Sequence, residues 1–150
     1  MAQELFTEVD QLTARKLNRD DFLLEIAKLI QAHYPQYNWV GFYFLEDDGR
    51  LHVGPYVGKP TPHTVIDLNK GICGAAVSQQ ETIIVDDVNA DPRYLACSLE
   101  TRSEIVIPLK VNGDIIGELD IDSSQIAAFR QEDRVVLEKI VEKVGRALEE

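Results

Sequence analysis

The sequence predicts an α+β fold: one antiparallel sheet carrying helices from both ends of the chain on one face and long connections on the other. Three observations point there. Apolar residues recur at helical period near both termini, six short β-rich runs lie between them, and two of the junctions hold tight-turn dipeptides.

Taken in order, "QELFTEVDQLTARKL" sets Leu5, Phe6, Val9 and Leu12 at helical spacing and predicts a short first helix. "NRDDFLLEIAKLIQAHYP" repeats the period with Phe22, Leu23, Ile26, Ala27 and Ile30; Asn18 or Asp20 can cap it, and Pro35 forbids its continuation. Six strand-like runs follow: "WVGFYFLE" (39–46), "LHVGPYVG" (51–58), "HTVIDL" (63–68), "TIIVDDV" (82–88), "EIVIPLKV" (104–111) and "DIIGELDID" (114–122). The Asp-Gly of "EDDGR" and the Asn-Gly of "VNGD" make tight turns, so the strands they join run antiparallel. "GICGAAVSQQ" (71–80) suits a short helix, whereas "NADPRYLACSLETR" (89–102) is too polar and Pro-interrupted for a strand and reads as a long loop. "RQEDRVVLEKIVEKVGRALE" (130–149) closes the chain with Val136, Leu137, Ile140, Val141, Val144 and Leu148 on one helical face, behind acids suited to a helix start.

A length of 150 residues and 45% hydrophobic content fit one domain over 1–150 with its own core. The net charge of −11, with Lys and Arg scattered rather than gathered in a stripe, argues against nucleic acid. The start "MAQELFTEVDQL" has acids where a signal peptide has bases, and no apolar run approaches the ~20 residues of a membrane span. A cytoplasmic protein without membrane contact is expected. Two cysteines in a reducing compartment are too few for a disulfide framework; each is either a small core residue or a working thiol.

Alternation places the candidate site. Asp120 and Asp122 in "GELDIDSS" share one strand face, and with Leu119 and Ile121 turned to the helices both acids face the loops. Carboxylates held close raise one another's proton affinity, so the pair could keep a proton as a general acid or clamp a cation such as an α-ammonium. Glu104 opens the strand that pairs through "VNGD" with the one carrying the aspartates, which brings it within a few residues of them. His33, His52 and His63 fall on separate elements, so no metal site is expected. Trp39 and Tyr43 share a face of the first strand while Val40, Phe42 and Phe44 alternate with them toward the helices. An apolar wall beside an anionic one suits a small zwitterion with an apolar tail. Cys97 stands seven residues before Glu104 in the loop that crosses this face, and Cys73 follows Gly71 at a helix start, where the dipole favours a thiolate. Both thiols would flank one pocket.

In "NWVGFYFLEDD", "VGPYVGK", "GICGAAV", "DDVNADPRYLACSLETRSEIVIPL" and "IIGELDIDSS", in that order, the chain resembles the GAF-domain family that reduces free methionine-R-sulfoxide. The resemblance runs from about Asn38 to the C-terminal helix. It implies a GAF-like fold, a six-stranded antiparallel sheet with N- and C-terminal helices on one face and ligand-covering loops on the other, and a homodimer. It also implies an L-methionine (R)-S-oxide reductase that needs no prosthetic cofactor and is recycled by an external thiol reductant such as thioredoxin. By that resemblance Cys97 attacks the sulfoxide sulfur and becomes a sulfenic acid. Glu104, Asp120 and Asp122 bind the ammonium group and protonate the departing oxygen, and Trp39 and Tyr43 hold the substrate's methyl and side chain.

The chain departs from that pattern in two places. The family's third cysteine, commonly the resolving thiol, would fall at Pro62 or His63, leaving Cys73 or an external thiol to resolve Cys97. The family's usual Gly two residues before Gly71 is here Asn69, which tolerates a left-handed backbone. The missing thiol keeps a second reading open, a non-catalytic GAF sensor or degenerate reductase that binds an amino-acid-like ligand. A third, a regulatory domain acting through its dimer surface, also stands.

Overall fold

The structure, a computed structural model, describes residues 2–94 and 100–149. Helices α1 (Ala2–Ala14) and α2 (Arg19–His33) precede strands β1 (Tyr37–Leu45), β2 (Arg50–Val57) and β3 (Val65–Asp67). Helix α3 (Gly71–Gln79), strand β4 (Ile83–Val85), strands β5 (Ser103–Val111) and β6 (Asp114–Ser123), and helix α4 (Gln131–Ala147) complete the order. The strands form one antiparallel sheet in the order β3-β2-β1-β6-β5-β4.

Local chemistry sets the boundaries. Asn18 caps α2 by accepting from Asp21 N at 2.9 Å, and its amide donates to the Asp21 carboxylate at 2.8 Å. Arg130 N donates to the Asp133 side chain at 2.9 Å at the start of α4. In the β5–β6 hairpin both Asn112 (φ 54°) and Gly113 (φ 84°) are left-handed, the turn whose twist matches its strands. In the β1–β2 hairpin only Gly49 (φ 76°) is left-handed; its N–H donates to Glu46 O at 2.9 Å, and the turn is one residue longer.

The strand registers fix the two faces. Toward the helices, Val40, Ile121 and Ile105 form one cross-strand row and Phe42, Leu119 and Ile107 the next. These side chains are buried with Leu23, Ile26, Ile140 and Val144. On this face α2 packs on β1 and β2, α4 packs on β5, and α1 lies against α2 and α4. The other face is covered by α3, against β3 to β6, and holds Trp39, Tyr43, Cys73 and Val106 in a second cluster. The two-face division expected from alternation therefore holds.

Two strands are shorter than expected: β3 starts at Val65 rather than position 63, and β4 ends at Val85 rather than 88. Thr64 still accepts from Val53 N at 2.8 Å, while Thr82 turns its hydroxyl to Glu138 on α4 at 2.6 Å. Within the expected loop, Val88–Ala90 makes a single 3-10 turn capped by Asp87. Asn69 is not left-handed; that conformation falls on Gly71 (φ 70°) at the start of α3. No helix among the described residues is long and apolar enough to cross a membrane.

Candidate active site

Three rows of residues cross the loop-side face of β5, β6 and β1. Glu104, Asp122 and Trp39 form the first, Val106, Asp120 and Gly41 the second, and Pro108, Glu118 and Tyr43 the third. The acids expected within a few residues of one another are therefore closer than that, Glu104 being the direct partner of Asp122. All are buried, with exposures of 5% for Glu104, 3% for Asp120 and 4% for Asp122. Among the described residues none of them has a basic partner, and Asp120 Oδ1 and Asp122 Oδ1 lack any hydrogen bond.

Such carboxyls keep their protons. Burial first, then the Asp120 and Asp122 charges, push Glu104 well above the usual carboxylate range. Burial and the neighbouring Asp120 do the same for Asp122. Asp120 is also raised by burial, but it accepts from Glu104 and Cys73, which opposes the rise. Asp120 is thus pulled both ways, up by burial and down by the two groups that donate to it.

The aromatic wall is fixed from several sides. Trp39 stacks on Tyr56 with ring centroids 5.0 Å apart and lies 6.1 Å from Tyr43. Its indole N–H donates to Lys59 O at 3.0 Å, and the Tyr43 hydroxyl donates to His63 O at 2.9 Å. The indole lies where a side chain at position 41 would start, since a Cβ on Gly41 would come within 2.5 Å of it. Gly58 (φ 125°) clears the other side of the same ring. These two glycines of "NWVGFYF" and "VGPYVGK" are what lets the ring lie flat on the strand.

The site has an outer and an inner part. The outer part is a cleft of about 130 Å³ lined by Trp39, Asn38, Pro60, Thr101, Asp122 and Ser124, with the ion pair of Lys59 and Glu100 at its rim. That is below the roughly 300–1,000 Å³ of drug-sized pockets and admits only a small molecule. The inner part is a void of about 10 Å³ bounded by Tyr43, His63, Cys73, Glu104 and Asp120, about the room for one water. Glu104 and Asp122, side by side, join the two.

Cys73 corrects one expectation. It lies in the first turn of α3, yet its thiol is pushed well above its ordinary value, by burial first and then by Asp120, Glu118 and Glu104. A helix dipole contributes about 0.3–1 kcal/mol, less than full burial among carboxyls takes away. The thiol faces the acids and stays protonated. Cys73, Glu104 and Asp120 also each place one ligand-type atom within 4.8 Å of the others, a grouping that histidine spacing gave no sign of. Cys97, expected across the same face, lies outside the described residues.

Glu118 was missed. It continues the alternation of Asp120 and Asp122 by one more step, is 0% exposed, and has both side-chain oxygens unpartnered. The same two-residue period that singled out the aspartates would have found it.

Residues 18–148 match the family described as the GAF domain. The chain belongs to the GAF-domain family. This GAF domain is 37% identical over 126 residues to the free methionine-R-sulfoxide reductase of Escherichia coli (strain K12), covering 84% of the chain and 75% of that protein. It superposes on the free methionine-R-sulfoxide reductase of Neisseria meningitidis, solved in complex with its substrate, with a TM-score of 0.93 and 31% identity, over 99% of this chain and 88% of that one. The type II free methionine-R-sulfoxide reductase of Thermoplasma acidophilum matches with a TM-score of 0.83 and 37% identity, over 91% of this chain and 94% of that one. The resemblance drawn from the motifs of this GAF domain holds, and so does the six-stranded fold it implied.

Proposed function

We propose that this GAF domain reduces free methionine-R-sulfoxide to methionine. The observation that carries the reading is the row Glu104, Asp122, Trp39, in which proton-holding carboxyls adjoin an aromatic wall over a cleft of amino-acid size. A sulfoxide oxygen leaves only when protonated, and a carboxyl that retains its proton near neutrality is a competent donor. The substrate's ammonium group donates to Asp120 and Asp122, and Trp39 and Tyr43 take its methyl and side chain.

Cys97 supplies the nucleophile. Its thiolate attacks the sulfoxide sulfur, the oxygen takes a proton from the acid cluster and passes to Cys97 as a sulfenic acid, and methionine departs. Cys73 then resolves the sulfenic acid, and an external dithiol such as thioredoxin returns both thiols to the reduced state. No prosthetic group enters these steps. The same proposal takes residues 1–150 as one GAF domain that works as a cytoplasmic homodimer.

The test is NADPH consumption by the reduced protein with free methionine-R-sulfoxide and a thioredoxin system. Turnover that vanishes in Cys97→Ser is expected; no methionine formed with both thiols intact would overturn the reading. The absence of a thiol at Pro62 and His63 favours the second reading, a sensor that binds without turnover. It requires Cys97→Ser to keep both ligand affinity and biological effect.

A further inference from the structure

Cys73, Glu104 and Asp120 come from three elements, α3, β5 and β6, and each places one ligand-type atom within 4.8 Å of the other two. All three side chains are buried, and all three border the inner void. Helix α3 is seated closely there: a Cβ on Gly74 would lie 2.7 Å from the Asp67 carbonyl oxygen and 2.8 Å from that of Leu68. Among the described residues neither acid has a basic partner, and Asp120 Oδ1, itself buried, has no hydrogen bond. Buried charges are ordinarily paired with an opposite charge or bound to a metal, and here no side chain brings the opposite charge.

We propose that Cys73 Sγ and the carboxylates of Glu104 and Asp120 form a site for one divalent cation of the zinc class. The donor set and the room select the ion. Mg²⁺ and Ca²⁺ take six or more oxygens, and Mg²⁺ keeps several waters, whereas this site offers a sulfur and a void for about one water. Zn²⁺ takes one sulfur and two carboxylate oxygens readily and leaves a single open position. Its bonds of about 2.3 Å to sulfur and about 2.0–2.2 Å to oxygen set tetrahedral ligand atoms about 3.5 Å apart, so the trio closes by roughly 1.3 Å at most. The ion displaces the thiol proton and the carboxyl protons, which pass to solvent, and nothing is oxidised or reduced. It enters from the outer cleft, past Glu104 and Asp122. The site stands on this geometry and not on the reductase reading. In a reductase the ion acts as an inhibitor, because it holds Cys73 and a proton donor at once.

Cobalt(II) tests the site, since it takes zinc positions and its absorption reads both the ligand and the geometry. The protein used is reduced, metal-free Cys97→Ser, in which Cys73 is the chain's only thiol. One equivalent of Co²⁺ is expected to give a near-ultraviolet thiolate-to-metal charge-transfer band together with the intense visible bands of a four-coordinate ion. One equivalent of Zn²⁺ is expected to abolish both. Glu104→Gln and Asp120→Asn, added singly to Cys97→Ser, keep side-chain size and leave the thiol in place. Each is expected to weaken Zn²⁺ at least about tenfold in competition with a chromophoric chelator, since even residues that only orient a ligand cost that much. No charge-transfer band, the weak bands of six-coordinate cobalt alone, or Zn²⁺ affinity unchanged in either carboxyl variant overturns the site. Wild-type protein that gives the cobalt bands yet, metal-free, releases no methionine from the sulfoxide upholds the site and overturns the reductase reading instead.

Discussion

Glu104 on β5 and Asp122 on β6 are direct cross-strand partners, so two carboxyls meet side by side under the loops with no basic residue of the described structure beside them. The pair costs folding energy that a purely structural sheet would avoid. Its value lies in a proton that stays bound near neutrality and in a place for a cationic ammonium.

Replacing either proton donor should therefore cost activity more than stability. Glu104→Gln and Asp122→Asn are expected to lower kcat by about 100- to 10,000-fold, the range for losing a positioned general acid, while thermal melting rises or holds. Steady-state kinetics beside a melting curve read both. A fall in melting temperature matching the loss of activity would mean that the carboxyls serve packing alone.

The same burial sets a pH dependence whose sign follows from the raised proton affinities of Glu104, Glu118 and Asp122. In the unfolded chain these groups ionise from about pH 4, whereas in the fold they hold their protons to higher pH. Their contribution to stability is fully present below the unfolded values and is lost as pH rises through the folded ones. Glu118→Gln removes one such group. The variant's urea midpoint should gain on wild type as pH rises above about 5; a gap independent of pH would refute the assignment.

Much of this was legible before the structure. Alternation in "GELDIDSS" and "NWVGFYF" divided Leu119, Ile121, Val40 and Phe42 from Asp120, Asp122, Trp39 and Tyr43, and the Asn112-Gly113 turn brought Glu104 near the aspartates. A one-residue register shift between Leu109 and Lys110, with no sign in the sequence, is what sets Glu104 opposite Asp122 rather than Ile121. Period and turn chemistry are local, so they survive in the sequence. The protonation of Cys73 was not legible, because its causes sit on β5 and β6, far along the chain, and outweigh the local dipole of α3. The backbone at Asn69 failed for a similar reason: a motif comparison placed the left-handed residue, and the packing of α3 placed it at Gly71 instead. The flat seat of Trp39 needed Gly41 of β1 and Gly58 just past the end of β2 together, seventeen positions apart in the chain.

That seat gives a sharp test. Gly41→Ala puts a methyl 2.5 Å from both the Trp39 ring and Tyr56 Cβ, so the indole must leave the strand or the strand must shift. Overpacking of this kind costs about 1–3 kcal/mol. KM should rise several-fold more than kcat falls, since the wall binds the substrate rather than moving protons. Trp39 is the only tryptophan, so its emission reports the same event: a red shift is expected in Gly41→Ala, and an unmoved spectrum with unchanged KM would exclude the indole from the site.

A final prediction separates the helix face from the chemistry. Gly145 in α4 faces β5 so closely that a Cβ would collide with the Lys110 carbonyl oxygen, so Gly145→Ala must lift the helix from β5. A loss of about 1–3 kcal/mol is expected, visible as a lower urea midpoint with an unchanged slope. The acids and Trp39 lie on the opposite face of the sheet, carried by strands whose registers α4 does not set. The folded fraction should then keep its KM within about twofold and its Trp39 emission unshifted. A shifted emission at full folding would mean that the two faces are mechanically coupled through β5, and that strain at α4 reaches Glu104.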